Sequence, residues 1–237
     1  MLKNLLSAGY PICLIILMSI LTFSSLGQKD HRNWEIGLTY SPLMTYRTLF
    51  GEDNYKNFVT NRNELEKPVL GYSTGIMVSK FFSKDWGFQF GMQFCKQGYV
   101  KEFQSNIGPY KITGPPSKPV EDYRYSYFYF QVPLQVFYNV SLGRNWSLRP
   151  LGGISTDIFL GMDYHKKGTS PDLQNVGLSV VNLSGIIGSE LRFQISDRIG
   201  IGATPIFQHS ILPIVFETPI KEFLWSTGIR FSCVLKI

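Results

Sequence analysis

The sequence predicts an all-β fold: eight antiparallel strands in an up-and-down transmembrane β-barrel, with short turns at one end and long loops at the other. Three observations carry that prediction. Segments with face alternation recur eight times, the connections between them alternate in length, and tryptophans mark the segment ends. In Trp86-Gly87-Phe88-Gln89-Phe90-Gly91-Met92-Gln93-Phe94-Cys95 every even position is large and apolar, and nearly every odd position is Gly or Gln. A β-strand has a side-chain period of 2, so one face of this segment is greasy and the other small or polar.

Residues 1–27 read as a signal peptide, leaving 28–237 as one barrel domain. Lys3 forms a positive n-region, Pro11 to Phe23 an apolar h-region, and Ser24-Ser25-Leu26-Gly27 a small-residue cleavage region. The apolar run is about 13 residues, short of the ~20 that a membrane helix needs. Cys13 sits inside the h-region rather than at its end, which argues against lipoprotein processing.

The strands follow in order. The first is Trp34 to Met44, with Trp34, Ile36, Leu38 and Tyr40 opposite Glu35, Gly37, Thr39 and Ser41. The second is Leu70 to Phe81 and the third Trp86 to Lys96. The fourth, about Tyr123 to Tyr138, sets Phe128, Phe130, Val132 and Leu134 opposite Tyr129, Gln131, Pro133 and Gln135. The fifth, Trp146 to Gly161, is less regular, and its Gly152-Gly153 pair predicts a bulge or bend. The sixth is about Leu178 to Phe193, the seventh Arg198 to His209 and the eighth Leu224 to Ile237.

Residues 45–69, 98–122, 162–177 and 210–223 form long connections, whereas 82–85, 139–145 and 194–197 form short ones. Outer-membrane barrels have short periplasmic turns and long extracellular loops. An even strand number with both ends periplasmic lets the last strand pair with the first. Closure matters because a sheet edge in lipid would leave backbone N–H and C=O groups unpaired.

Trp34, Trp86 and Trp146 open strands on the periplasmic side. Trp225 opens the last strand on the other side, where Tyr123, Tyr125 and Tyr127 also cluster. Amphipathic rings favour the headgroup level, so Trp34, Trp86, Trp146, Tyr123, Tyr125 and Trp225 read as two aromatic girdles. A soluble ligand-binding barrel would turn the apolar set inward. Its outer face would then carry many Gly and few Lys or Glu, which suits water poorly.

Tyr129-Phe130-Gln131-Val132-Pro133-Leu134-Gln135-Val136-Phe137-Tyr138-Asn139 resembles a "Y-L-E-I-P-L-L-x-K-Y" strand of the Bacteroidota outer-membrane β-barrel domain family, which includes PorT-like proteins. Leu151-Gly152-Gly153-Ile154 and Asn182-Leu183-Ser184-Gly185-Ile186-Ile187-Gly188-Ser189-Glu190-Leu191 are similar to that family's next glycine-rich strand and its "G-x-x-x-G-x-E" strand. The chain departs from the pattern at Gln131, often Glu in the family, and at Ile237, where a terminal aromatic is more usual. The resemblance implies an eight-stranded outer-membrane barrel without an established catalytic site, and an accessory role in a secretion machine.

The polar face gathers Glu35, Arg149, Asp157, Glu190, Arg192 and Arg230. An eight-stranded barrel is only wide enough for its own side chains, so these charges are expected to pair as a lumen network. Glu190 and Arg192 are each expected to find an opposite charge across the barrel. The alternatives are a narrow channel or a ligand pocket. Cys95 falls on the polar face and Cys233 on the apolar face, so no disulfide is expected, nor any metal site or cofactor.

His209-Ser210 with Glu217 nearby is the sole hint of catalysis. Adjacent strand residues point to opposite faces, however, and a nucleophile needs its base within about 3 Å. His31 and His165 read as solvated. The formal charge of +6 falls by one with loss of Lys3, and the remainder is scattered, which excludes nucleic acid as a partner.

The expectation is therefore a non-enzymatic protein of the Gram-negative outer membrane. Its partners are outer-membrane lipid and a protein bound through extracellular loops, because binding residues often sit on loops held by a rigid scaffold. The loop candidates are Tyr46, Arg47, Phe50, Tyr55 and Phe58; Gly108-Pro109 and Gly114-Pro115-Pro116; and the apolar run 211–216. The alternative is a small lipid-modifying enzyme.

Overall fold

The computed structural model describes residues 34–103, 121–166, 179–215 and 219–237. The expected signal peptide (residues 1–27), His31, Gly108-Pro109, Gly114-Pro115-Pro116 and Glu217 lie outside them. All the described residues fall in one unit.

Eight wall strands run in order: β1 (Trp34–Gly51), β2 (Glu66–Phe81), β3 (Trp86–Phe103), β4 (Glu121–Tyr138), β5 (Trp146–Lys166), β6 (Val181–Gln194), β7 (Ile199–Ser210) and β8 (Ile220–Lys236). Each pairs antiparallel with its sequence neighbours, and β1 pairs with β8 from Glu35↔Lys236 to Gly51↔Ile220. The ring is closed, so every wall strand has two hydrogen-bonded neighbours and lipid meets no sheet edge. A two-residue strand, Val140–Ser141, adds a bridge to β5 inside one short turn.

Burial fixes which face is which. Leu70 is 78% exposed and Ile187 62%, whereas Glu35 is 1% and Arg192 2%. Apolar side chains cover the outside and polar ones fill the lumen, the arrangement of a barrel surrounded by hydrocarbon.

The strands outrun their sequence-predicted limits at the extracellular end. β1 has 18 residues, whereas about 9–11 tilted residues cross the hydrocarbon. Alternation continues through Thr45, Arg47 and Leu49, which are buried, and through Met44 and Phe50, which are exposed. Much of the expected loop 45–69 is therefore strand, and its tip carries a helix, α1 (Lys56–Leu65).

The Gly152-Gly153 pair makes no bulge. Both glycines stay in register with β4 and β6. Gly153 instead gives room: a Cβ there would run into the Leu134 carbonyl oxygen and the Gln135 backbone. The register shift in this strand pair falls at Phe128/Tyr129.

Candidate functional site

The lumen is built in layers. At the periplasmic end β1, β5 and β6 bring Glu35, Arg149, Glu190 and Arg192 together. Glu35 accepts from Arg149 Nη1 at 2.8 Å and Nη2 at 3.2 Å, and from Arg192 Nη1 at 2.5 Å. Glu190 accepts from Arg192 Nη2 at 2.9 Å and from Ser232 Oγ at 2.8 Å. Its close cation is thus on its own strand rather than across the barrel, since residues two apart on a strand share a face. Arg149 also donates to Asn139 Oδ1 at 2.7 Å and lies over the Phe81 and Phe137 rings, 5.0 and 5.2 Å from their centroids. Two cations and two anions close this end with no net charge. Gly202 lies beside it, and a Cβ there would fall on the Glu190 carboxylate and on Ser232 Oγ, which would have to shift.

The middle layer departs from simple pairing. Asp157 has no cation within salt-bridge distance among the described residues. Its oxygens accept from Ser155 Oγ (2.6 Å), Ser184 Oγ (2.5 Å), Gln131 Nε2 (2.9 Å) and Gln208 Nε2 (3.3 Å). Four neutral donors satisfy a carboxylate without a counter-ion. Arg230 donates to Gln135 Oε1 at 3.3 Å, and its Nε has no partner among the described residues. It borders a cavity of about 10 Å³ lined by Ser41, Ser73, Gln93, Gln208 and Ser226, the size of one water.

Above lies an apolar plug of Leu43, Cys95, Tyr99, Tyr127, Tyr129, Ile186, Ile206, Ile214 and Leu224. This corrects the outer girdle. Tyr125 stacks on Tyr99 at 5.1 Å inside the barrel, and Tyr127 is buried. Tyr123 and Tyr125 share the odd parity of Gln131 and Gln135, so strand alternation turns them inward. Ile214, from the apolar run 211–216, is buried in the same plug and donates its N–H to the Glu222 carbonyl.

The outer aromatic ring is made instead by Tyr46, Trp225, Phe207, His209 and Phe223. Its contacts are Tyr46–Trp225 (6.0 Å), Phe207–Trp225 (6.3 Å) and His209–Phe223 (6.3 Å). The inner ring contains Trp34, Trp86 and Trp146. Trp86 lies 5.0 Å from Tyr138, Trp146 lies 4.8 Å from Phe193, and Lys80 Nζ sits 4.7 Å over Trp34.

The mouth holds a cluster that sequence reasoning missed. Arg47 Nε donates to Glu66 Oε2 at 2.5 Å and Nη1 to Asn63 Oδ1 at 2.9 Å. Arg62, on α1, donates to Glu66 Oε1 (2.6 Å), Glu222 Oε2 (3.1 Å) and the Tyr99 hydroxyl (3.3 Å). Burial alone would lower the Arg62 guanidinium, but the Glu66 hydrogen bonds and the Glu222 charge hold it above its ordinary value. Residue types carry no signal for Arg47, because polarity stops alternating over Thr48-Leu49-Phe50 although burial goes on alternating through them. α1 itself buries no residue, so these polar contacts fasten it.

His209 and Ser210 do not meet as a catalytic pair. The His209 ring turns outward to Phe223, with Nδ1 2.6 Å from the Ser210 backbone oxygen, while Ser210 is buried. Among the described residues no cluster of His, Cys, Asp and Glu has the makings of a metal site. Cys95 and Cys233 are free thiols, one buried and one exposed.

Comparison with solved structures finds low-identity likenesses in shape. Neisserial surface protein A is 8% identical, with 88% of this chain and 100% of that chain covered at a TM-score of 0.47. Ail of Yersinia pestis is 16% identical, with coverages of 86% and 99% and a TM-score of 0.38. The outer membrane protease OmpT of Escherichia coli is 5% identical, with coverages of 89% and 99% and a TM-score of 0.42. No curated protein matches the chain. A family model described as outer membrane protein beta-barrel domain matches residues 25–207. The chain belongs to that outer-membrane β-barrel domain family and is a closed eight-stranded barrel of the outer membrane.

Proposed function

We propose that this protein is a non-enzymatic outer-membrane barrel that binds a protein partner through its extracellular end. The observation that carries the reading is the fastening of α1 across the mouth. Arg62 and Asn63 tie the helix into the buried Arg47–Glu66–Glu222 cluster. Phe50, Tyr55 and Phe58 remain exposed around it. Anchored aromatics on a rigid scaffold suit recognition, because little side-chain freedom is lost on binding. The likeness of the Tyr129–Asn139 strand to PorT-like barrels extends the proposal to a Bacteroidota barrel that serves as an accessory of a secretion machine.

The test replaces residues 52–65 with a short Gly-Ser turn. The reading expects an intact barrel that no longer crosslinks to its partner from position 50, with membrane lipid composition unchanged. Loss of a lipid modification in this variant or in Ser210→Ala would instead establish an enzyme.

A further inference from the structure

One arginine of the lumen is held unlike the others. Arg47 meets Glu66, Arg62 meets Glu222, and Arg149 and Arg192 both meet Glu35. Arg230 is buried and has no carboxylate within salt-bridge distance among the described residues. Its Nη1 donates to a neutral group, Gln135 Oε1, at 3.3 Å. An arginine does not shed its proton in a protein, and a buried charge is ordinarily paired. The carboxylates around it are taken. The charge of Glu190 reaches Arg230 from the periplasmic layer, but Glu190 already accepts from Arg192 and Ser232. Gln208 separates Arg230 from Asp157, donating to a carboxylate that Ser155, Ser184 and Gln131 also satisfy. Arg230 and Ser226 line the cavity of about 10 Å³ together with Ser41, Ser73 and Gln208, and no carboxylate lines it. Three buried polar atoms of this layer lack a partner among the described residues: Arg230 Nε, Ser226 Oγ and Gln135 Nε2. All three are able to donate.

We propose that this cavity binds one monatomic anion of the chloride class, held by the Arg230 guanidinium and the Ser226 hydroxyl. Charge, donors and size converge on that occupant. A water would satisfy hydrogen bonds but leave the guanidinium without a counter-charge, whereas a halide supplies both at once. The site offers a fixed cation and a hydroxyl that rotates to suit its guest. Leu43 and Ile206 close the remaining wall with hydrocarbon, and in such surroundings an ion pair is much stronger than in water. A space for about one water excludes phosphate, sulfate and carboxylates. Ser226 and Arg230 lie four residues apart on β8 and share its inward face, so one strand carries both holding groups. The apolar plug lies on one side of this layer and the ion-paired cluster on the other. The anion is therefore taken up as the barrel closes.

The test refolds the whole barrel from urea into detergent micelles, with sodium chloride replaced stepwise by sodium gluconate at constant ionic strength. Gluconate is too bulky for the cavity. The folded and unfolded gel bands give the equilibrium ratio at each chloride concentration. For one bound ion, that ratio should rise about tenfold for each tenfold rise in chloride once the site is mostly filled. Arg230→Met removes the charge, and Ser226→Val removes the hydroxyl and fills the cavity while leaving Arg230 in place. Both should lose the chloride dependence, and if Arg230→Met does not fold, Ser226→Val carries the comparison. Crystals of the parent refolded in sodium bromide should show an anomalous peak within hydrogen-bond reach of Arg230 and Ser226 Oγ. A ratio indifferent to the exchange of chloride for gluconate overturns the proposal, as does the same chloride dependence in the parent and in Ser226→Val. Density of a water without anomalous signal in the bromide crystals overturns it too, since the cavity would then serve solvent alone.

Discussion

Glu35→Gln is the sharpest perturbation of the filled lumen. Glu35 is 1% exposed and accepts three hydrogen bonds from two guanidiniums that are themselves buried. The four-residue cluster of Glu35, Glu190, Arg149 and Arg192 is neutral, so the substitution leaves it with one uncompensated positive charge. It also turns an amide N–H₂ toward guanidinium donors. Charge-assisted hydrogen bonds contribute about 1.5–3 kcal/mol each, and breaking a buried ion pair from one side costs about 3–5 kcal/mol. We expect a loss of about 3–5 kcal/mol, read from urea titration in detergent micelles by the folded and unfolded gel bands. Glu35→Gln/Arg192→Gln restores neutrality and should be more stable than Glu35→Gln alone. If Glu35→Gln lies within about 0.5 kcal/mol of the parent, or if the double variant costs the full sum of the singles, charge balance does not govern this end of the lumen.

Three further outcomes follow from the same geometry. Gly202→Ala should destabilise the barrel by about 1–3 kcal/mol through overpacking against Glu190 and Ser232, whereas Gly161→Ala, whose Cβ would meet nothing within 4 Å, should be near neutral by the same titration. Arg62→Gln together with Asn63→Ala removes the side-chain bonds from α1 to Arg47, Glu66, Glu222 and Tyr99, so added protease should cut within residues 52–65 about tenfold faster or more while the wall strands stay intact; an unchanged rate would mean that α1 is held by something else. Cys233 faces lipid and Cys95 is fully buried, so a lipid-soluble maleimide should label Cys233 alone, and labelling of Cys95 in the folded barrel would contradict the assigned faces.

The wall was legible because lipid and lumen impose opposite chemistry on alternate residues, as Trp86 to Cys95 displays in one segment. The same alternation already placed Glu35, Arg149, Asp157, Glu190, Arg192 and Arg230 on the inner face. It could not say which of them touch, because that depends on strand stagger. Arg192 meets Glu35 across 157 positions of sequence. The mouth cluster was hidden for a related reason: Arg62 reaches Glu222 from a helix 160 residues away, and a helix interrupts the period that would have linked Arg47 to Glu66. Tyr123 and Tyr125 were misplaced by reading residue type over parity, for tyrosine suits both a headgroup ring and a packed plug. Gly152-Gly153 misled because glycine marks both bulges and close strand approach, and only the neighbouring Leu134 carbonyl distinguishes the two.

The most direct test of the central claim is the mobility of the protein in outer-membrane fractions on SDS gels, with and without boiling. A closed barrel with a packed lumen resists detergent, so the account predicts a band in that fraction whose position shifts on boiling. A single band of unchanged mobility, or protein found free in the periplasm, would contradict it.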